Sequence, residues 1–156
     1  AGESFGIADF GVYAVNSLRM EKAYRAYGTE LTTEITMIDA DMERFVKFEK
    51  ANFIGKEALL KRKAEGSDFQ LVYAQVATSD SDIRGGEPVF DGDLVIGMIT
   101  SGAYGHTVSK QLVFAYLKPI QGSLPTKFEI EILGERYQAE VLPEPIFDPK
   151  NERLRS

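Results

Sequence analysis

A chain of 156 residues with 44% hydrophobic and 27% charged residues has the composition of an ordinary soluble globular protein. It contains no cysteine and one histidine, which excludes disulfides, thiol nucleophiles and metal sites built from several cysteines or histidines, and which favours a reducing compartment. The formal net charge of -6 argues against nucleic-acid binding, and no apolar run reaches the ~18–20 residues of a membrane-spanning helix.

The first predicted element is a helix with a mostly apolar stripe, which Asp9 is expected to cap and Gly28 to end. Residues 32–42 lack a clear period and predict a loop, whereas the alternating residues 44–49 predict a short strand. A second helix is expected within residues 55–66, whose last residue is a glycine suited to a helix C-terminus. The stripe of the first helix consists of Phe10, Tyr13, Ser17, Met20, Tyr24 and Tyr27.

From residue 67 onward the sequence predicts β-strands almost throughout. Six short antiparallel strands favour a small barrel or a sandwich, because closure removes exposed strand edges. The strands are expected at 69–76, in a hairpin over 88–100 that turns at Asp91-Gly92, at 111–117, and in a hairpin over 127–142 that turns at Gly134. The side chains expected to face inward in the second hairpin are Phe128, Ile130, Ile132, Tyr137, Ala139 and Val141.

The chain therefore predicts an α+β protein with two parts, an αβ segment at 1–66 and an all-β domain at 67–156. The first part contains too few elements to bury both faces of its helices. We expect it to be the end of a larger domain that begins before this chain. A first residue other than methionine, in "AGESFG", agrees with that expectation.

Two stretches carry candidate binding residues, and the first is "SLRMEKAYRAYG" at residues 17–28. One interpretation is an amphipathic helix with a solvated charged face, in which Arg19 and Glu21 form an internal ion pair that braces the helix. The other is a site for a planar anionic ligand, in which Tyr24 and Tyr27 stack on a ring, Glu21 accepts from an N–H edge and an arginine, Arg19 or Arg25, binds a carboxylate. The nearby "DADME" stretch, with Asp39 and Asp41, predicts a turn and not a pair of catalytic carboxylates.

The second stretch is "TSGAYGHTVSK" at residues 100–110, which we expect to form a glycine-rich loop after a strand. It is either a plain connection or one wall of a binding cavity. Ser101 and Tyr104 supply hydroxyls, and His106 is the only histidine of the chain. No acid–base partner of His106 lies close in sequence, and no phosphate-binding glycine motif is present.

Three stretches of this sequence resemble a known family. They are "GVYAVNSLRMEKAYRAYGTELTTEITMIDADM", "FIGKEALLKRK" and "GEPVFDGDLVIGMITSGAYGHTVSKQLVFAYL". Together they are similar to the folate-binding aminomethyltransferases, whose founding member is the T-protein of glycine cleavage. The similarity points to the C-terminal part of dimethylglycine and sarcosine dehydrogenases and dimethylglycine oxidase. Val15-Asn16 stands where glycine-cleavage members usually have an Arg-Asp pair, which favours this flavoprotein branch.

The resemblance implies that residues 67–156 form the family's C-terminal, jelly-roll-like β-barrel and that residues 1–66 end its αβ folate-binding domain. The family's catalytic aspartate and the glutamate that binds the pterin would both precede this chain. No catalytic residue and no metal ligand are therefore assigned here. The residues assigned to a folate cavity are Arg19, Glu21, Tyr27, Ser101, Tyr104 and His106.

The resemblance also implies the chemistry of the parent protein. An N-terminal FAD-dependent half would oxidise an N-methyl glycine, and tetrahydrofolate would take up the one-carbon unit. The partners would be the flavin and folate domains of the same chain and a small-molecule folate, with no nucleic acid and no membrane. The chain alone is expected to be inactive, and the bacterial cytoplasm is favoured over the mitochondrial matrix. Two alternatives stay open, namely a T-protein-like aminomethyltransferase without a flavin half and a folate-binding accessory protein.

Overall fold

Six antiparallel strands in the second part of the chain close into a barrel, in the order β1-β4-β3-β2-β5-β6. The computed structural model describes residues 2–78 and 81–155. Its strands are β1 (Gln70–Val76), β2 (Pro88–Asp91), β3 (Leu94–Gly105), β4 (Lys110–Leu117), β5 (Lys127–Ile132) and β6 (Glu135–Val141). Its helices are α1 (Val12–Glu21), α2 (Lys56–Glu65) and the short α3 (Glu152–Arg155). The predicted α+β class and the closed barrel are confirmed.

The alternating apolar side chains of the second hairpin, β5 and β6, face the inside of the barrel, as predicted. Phe128, Ile130, Ile132 and Ala139 are buried in the barrel core, and the half-buried Tyr137 and Val141 pack against the same core. Both hairpin turns form at the predicted places. Asp91 pairs with Leu94 across one turn, and Ile132 pairs with Glu135 across the other.

Strands β1 and β4 are buried on both faces, which explains why their sequences are nearly continuous apolar runs. The outward face of this strand pair packs against the end of α1 and forms a second core outside the barrel. The N-terminal segment is therefore joined to the barrel by a shared apolar cluster. Its buried members are Met20, Ala23, Leu71, Tyr73, Leu112 and Phe114.

The first helix is shorter than its apolar stripe predicts. It begins after Gly11 without a side-chain cap, so the predicted cap by Asp9 is wrong. It ends at Glu21 and not at Gly28. Ala23 adopts a left-handed backbone conformation, with a φ of 51°, and donates its N–H to the Met20 carbonyl at 3.0 Å. Tyr24 donates to the Arg19 carbonyl at 2.9 Å, which completes a Schellman-type ending. Burial of Ala23 in the outer core offsets the cost of its left-handed backbone.

Three other expectations can be compared with the structure. Residues 44–49 are not a strand, because Glu43–Phe45 forms a 3-10 turn and no strand edge of the closed barrel is open to them. The predicted loop at 100–110 is mostly strand, since β3 continues to Gly105 and only residues 106–109 turn. The helix predicted within 55–66 forms as α2, and the residue after it, Gly66, has a φ of +81°. No helix in the described parts of the chain has the length and apolar character needed to cross a bilayer.

Candidate functional site

Helix α1 lies along the end of β3, and three polar contacts hold the two together. The Asn16 amide donates to the Gly102 carbonyl at 3.1 Å, and the Ser17 hydroxyl donates to the Tyr104 carbonyl at 2.6 Å. One turn further along α1, the carboxylate of Glu21 accepts the main-chain N–H of Thr107 at 2.7 Å. The contacts thus advance in the same direction along α1 and along β3 with the turn after it, and we call this contact the α1–β3 seam.

Two glycines of β3 allow the close approach of its neighbours. A Cβ atom on Gly105 would lie 3.0 Å from Cγ of Glu21, so a side chain here would push α1 away. A Cβ atom on Gly102 would lie 2.6 Å from the main-chain oxygen of Ile83, on the other side of the strand. The glycines of the sequence motif are therefore required by packing, because both positions are buried.

The seam is anchored by a buried carboxylate that the sequence analysis did not single out. Glu30 is fully buried and takes part in an ion pair with Arg19 at 2.9 Å. Burial by itself would raise the pKa of Glu30, but the hydrogen bonds and the arginine charge outweigh it, so the pKa lies below its ordinary value. The groups that donate to this carboxylate are Arg19 Nη1, the Ala26 N–H and Thr29 Oγ1, each at 2.9 Å, Thr100 Oγ1 at 2.8 Å, and Ser101 Oγ.

Two of the three hydroxyls that donate to Glu30 come from a β-bulge in β3. The pairing of β3 with β4 shifts between Ile99 and Ser101, which leaves Thr100 as the extra residue. Because of the bulge, Thr100 and Ser101 both direct their hydroxyls to one oxygen of Glu30. Glu30 thereby fixes the bulge of β3 relative to Arg19 on α1.

Three of the candidate residues, Arg19, Glu21 and Ser101, hold this seam together. Arg19 pairs with Glu30 and also donates from Nε to the Asn16 side chain at 2.8 Å. The ion pair between Arg19 and Glu21 that could have braced the helix internally is therefore wrong. Glu21 is buried and bound to the backbone of Thr107 instead, and Ser101 is buried against Glu30.

Tyr104 and His106 meet at a cavity beside the seam. Their rings pack edge to face, with centroids 5.1 Å apart and an interplanar angle of 78°. The cavity has a volume of about 360 Å³, within the range of small-molecule sites. Tyr27 lies elsewhere, 80% exposed on a turn that forms a bridge with Leu31. The cavity is lined by Tyr13, Asn16, Ser17, Asp82, Ile83, Arg84, Gly102, Ala103, Tyr104, His106 and Gln111.

This lining combines aromatic faces, two amides, hydroxyls and one guanidinium, which suits a ligand with a planar ring and an anionic group. A larger groove of about 620 Å³ lies at the end of β1, beside the first residues of β4 and β5 and the second half of β6, but its described lining has no aromatic side chain to hold a ring. Among the residues described, no three His, Asp or Glu side chains gather in an arrangement that could hold a metal ion.

Comparisons with known proteins match the chain along most of its length. The sequence model of the GCVT N-terminal domain matches residues 1–50, and that of the glycine cleavage T-protein C-terminal barrel domain matches residues 70–148. The mitochondrial dimethylglycine dehydrogenase of Mus musculus is 42% identical over 99% of this chain, which spans 18% of that protein. The 4-methylaminobutanoate oxidase (formaldehyde-forming) of Paenarthrobacter nicotinovorans is 35% identical, again over 99% of the chain and 19% of that protein.

Shorter proteins and a solved structure match as well. An aminomethyltransferase of Bacillus pumilus is 35% identical over 94% of the chain and 40% of that protein. The crystal structure of the glycine cleavage system aminomethyltransferase T of Bartonella henselae superposes with a TM-score of 0.77 at 27% identity, over 87% of this chain and 38% of that one. The chain thus spans less than a fifth of the first dehydrogenases it matches and about two fifths of the aminomethyltransferases.

Proposed function

Because the chain belongs to the glycine cleavage T-protein family, we propose that it forms the C-terminal, folate-side part of an amine-oxidising flavoprotein of the dimethylglycine dehydrogenase type. The observation that carries this choice is the identity of 42% to the mouse dehydrogenase over 99% of the chain, against 35% to the aminomethyltransferase of Bacillus pumilus. Val15-Asn16, in place of an Arg-Asp pair, supports the same choice.

In this proposal residues 1–66 end a folate-binding domain and residues 67–156 form its barrel neighbour. The partners are the flavin and folate domains of the same polypeptide. Tetrahydrofolate, when bound, would accept the one-carbon unit that FAD-dependent oxidation of an N-methyl amine supplies. Since the matches include mitochondrial enzymes of mammals and proteins of bacteria, a bacterial cytoplasmic location stays a prediction.

The residues of this chain would bind and orient the folate. Tyr104 and His106 offer ring faces and edges to an aromatic group, and the Asn16 amide lines the same cavity. Arg19 and Glu21 would keep the wall in place through the α1–β3 seam, without touching the ligand. A wall fixed in advance lowers the entropy that binding must overcome and keeps water away from the reacting carbon.

The aminomethyltransferase alternative is supported by the 35% identity to shorter relatives, of which the chain covers about two fifths. In that case the complete protein would have no flavin half. The folate cavity and the roles of its residues would be unchanged. A folate-binding accessory protein of the same superfamily would share the cavity but would not transfer a one-carbon unit.

The complete protein encoded around this chain tests the proposal. We expect it to carry FAD, to oxidise dimethylglycine or sarcosine with an electron acceptor, and to form 5,10-methylenetetrahydrofolate when tetrahydrofolate is present. Tyr104→Ala should weaken tetrahydrofolate binding about 10-fold or more while leaving flavin reduction by the amine unchanged. The control is Tyr27→Ala, which lies away from the cavity. Equal folate affinity of the Tyr104 variant and the unaltered protein would remove this cavity from the folate site.

A further inference from the structure

We propose that Arg84 binds a carboxylate of the ligand whose ring lies against Tyr104 and His106, so that Arg84 selects anionic, carboxylate-bearing ligands at this cavity. The inference rests on the proposed function, since the ligand is taken to be a folate. Arg84 lies in the connection between β1 and β2, and it belongs to the lining of the cavity together with residues of α1 and β3. Neither the "TSGAYGHTVSK" stretch nor α1 contributes a lysine or an arginine to this lining.

The backbone around Arg84 is held in place although the segment is irregular. The side chain of Ile83, the preceding residue, is buried in the barrel core. The carboxylate of Glu87 accepts the N–H groups of Arg84 and Gly85, both at 2.8 Å. Two main-chain bonds then tie the segment to β3, from Gly86 to the Ile99 carbonyl at 2.8 Å and from the Ile99 N–H to Glu87 at 2.9 Å.

Glycines make this attachment tight. Gly85 has a φ of +115°, and a Cβ atom there would lie 2.5 Å from the Thr100 carbonyl oxygen. On β3, a Cβ atom on Gly102 would lie 2.6 Å from the Ile83 carbonyl oxygen. The segment thus sits directly on the β-bulge that Glu30 fixes, and its position is coupled to the α1–β3 seam. An arginine on such a base is presented to the cavity without the cost of ordering a flexible loop.

The charge of Arg84 is available to a ligand. Within residues 2–78 and 81–155, its guanidinium has one carboxylate neighbour, Asp82, at 3.9 Å. The two side chains are 79% and 88% exposed, and an exposed pair at that distance contributes little. Arg84 is also the one Lys or Arg among the described residues that line the cavity. A ligand carboxylate could therefore displace Asp82 at small cost.

The neighbouring charges favour a carboxylate over a phosphate. Asp82 lines the same cavity, so a group carrying two negative charges would be repelled more strongly than one carrying a single charge. The planar fork of a guanidinium matches the two oxygens of a carboxylate. A lining that combines the ring faces of Tyr104 and His106 with the guanidinium of Arg84 therefore matches a ring linked to a carboxylate.

The test compares one folate with its neutral counterpart, in the complete protein. The probes are 5-formyltetrahydrofolate and its dimethyl ester, which keeps the rings but lacks both negative charges. Arg84→Met should weaken binding of the acid about 10- to 100-fold, the usual range for loss of a charged hydrogen-bonded pair, and leave binding of the ester unchanged. The affinity of Arg84→Lys for the acid should lie between the affinities of the unaltered protein and of Arg84→Met. The matched control is Arg44→Met, another exposed arginine that lies outside this cavity.

The outcomes separate the two ideas. If Arg84→Met changes binding of the acid and the ester equally, or changes neither, Arg84 does not bind the carboxylate, whereas the folate site itself stands. If the unaltered protein binds neither probe at millimolar concentration, the proposed function fails and the role of Arg84 fails with it. Circular dichroism and thermal melting of the variants should match the unaltered protein, because the Arg84 side chain is exposed.

Discussion

At the scale of single residues, the side chain that organises the site is Glu30. Its carboxylate gathers donors from α1, from the turn after it and from β3. The sequence analysis singled out two of its donors, Arg19 and Ser101, but not Glu30, which accepts from them. Hydroxyls and glycines cluster visibly in residues 100–105, but Glu30 lies about 70 residues away in a polar stretch with no period, and only the folded backbone brings the two together. The pairing of Arg19 was wrong for the same reason, since sequence distance favoured Glu21.

Removal of the Glu30 carboxylate should be strongly destabilising. Glu30→Ala would leave Arg19 partly buried without its counter-charge. It would also remove the carboxylate that accepts from Ser101, and it would leave Thr100 only its longer bond to the Phe114 carbonyl, at 3.3 Å. We expect the free energy of unfolding to fall by about 3–5 kcal/mol, as is typical when one partner of a buried ion pair is lost. Urea denaturation followed by circular dichroism measures this. The exposed Glu34→Ala should cost less than about 0.5 kcal/mol, and a similarly small loss for Glu30→Ala would show that the network adds no net stability.

Stability should also depend on acid through the same carboxylate. The pKa of Glu30 is lower in the folded protein than its ordinary value of 4.5, so the folded state binds this proton less readily than the unfolded state. Its stabilising contribution is complete above the ordinary pKa and is lost as pH falls through the folded pKa. Asp39, whose pKa is also lowered by hydrogen bonds and Arg62, adds to the slope. Urea midpoints measured from pH 7 to pH 3 should fall less steeply in Glu30→Gln, and identical slopes would contradict this assignment.

At the scale of elements, strands were easier to predict than helix ends. All six barrel strands and both hairpin turns form where alternation and turn residues predict them, because those signals are local, although β3 continues to Gly105 beyond its predicted end at residue 100. Helix α1 stops early because Ala23 turns the chain into the outer core, a preference that belongs to tertiary packing. Residues 44–49 alternate like a strand but have no open strand edge to join. The cavity was predicted only in part, because Arg84 lies in a segment that the sequence marks merely as flexible and acidic.

The contact between β3 and its neighbours gives a prediction about two glycines. Gly102→Ala would place a methyl group 2.6 Å from a main-chain oxygen that cannot move without disturbing the segment around Ile83. We expect a loss of about 2–3 kcal/mol in the free energy of unfolding. Gly105→Ala should cost less, since the atoms it meets, at 2.9–3.0 Å, belong to side chains. Gly11→Ala is the control, because nothing lies within 4 Å and its φ is −84°. Thermal melting that ranked Gly102→Ala with the control would refute the packing argument.

At the scale of the whole molecule, apolar side chains are concentrated on the outside of the N-terminal segment. Phe5, Ile7, Phe10, Val12 and Tyr13 are between 71% and 91% exposed. Exposed apolar surface of this kind promotes association. It is also what the sequence predicted for a segment that packs on a further domain.

The 156-residue chain by itself should therefore self-associate. Sedimentation velocity at rising protein concentration should show an increasing average mass. A double change of Phe10→Ser and Val12→Ser should suppress that increase, because it removes two exposed apolar side chains of the patch. Leu133→Asn serves as the control, since Leu133 is 99% exposed at the tip of the β5–β6 hairpin, far along the chain from this patch. A constant monomer mass across all concentrations would contradict the prediction.

The burial of β1 and β4 on both faces has a consequence for biosynthesis. Met20 leaves the ribosome about a hundred residues before β4 is complete, which corresponds to roughly 5–20 s of translation. During that interval the apolar side of α1 has no barrel to pack against. Its final partners, Leu71 and Phe114, lie on β1 and β4, which can pair only after β4 has been synthesised. Within this chain the N-terminal segment is therefore synthesised before the barrel but packs against it only after the barrel strands are complete, and its apolar side chains stay exposed to association until then.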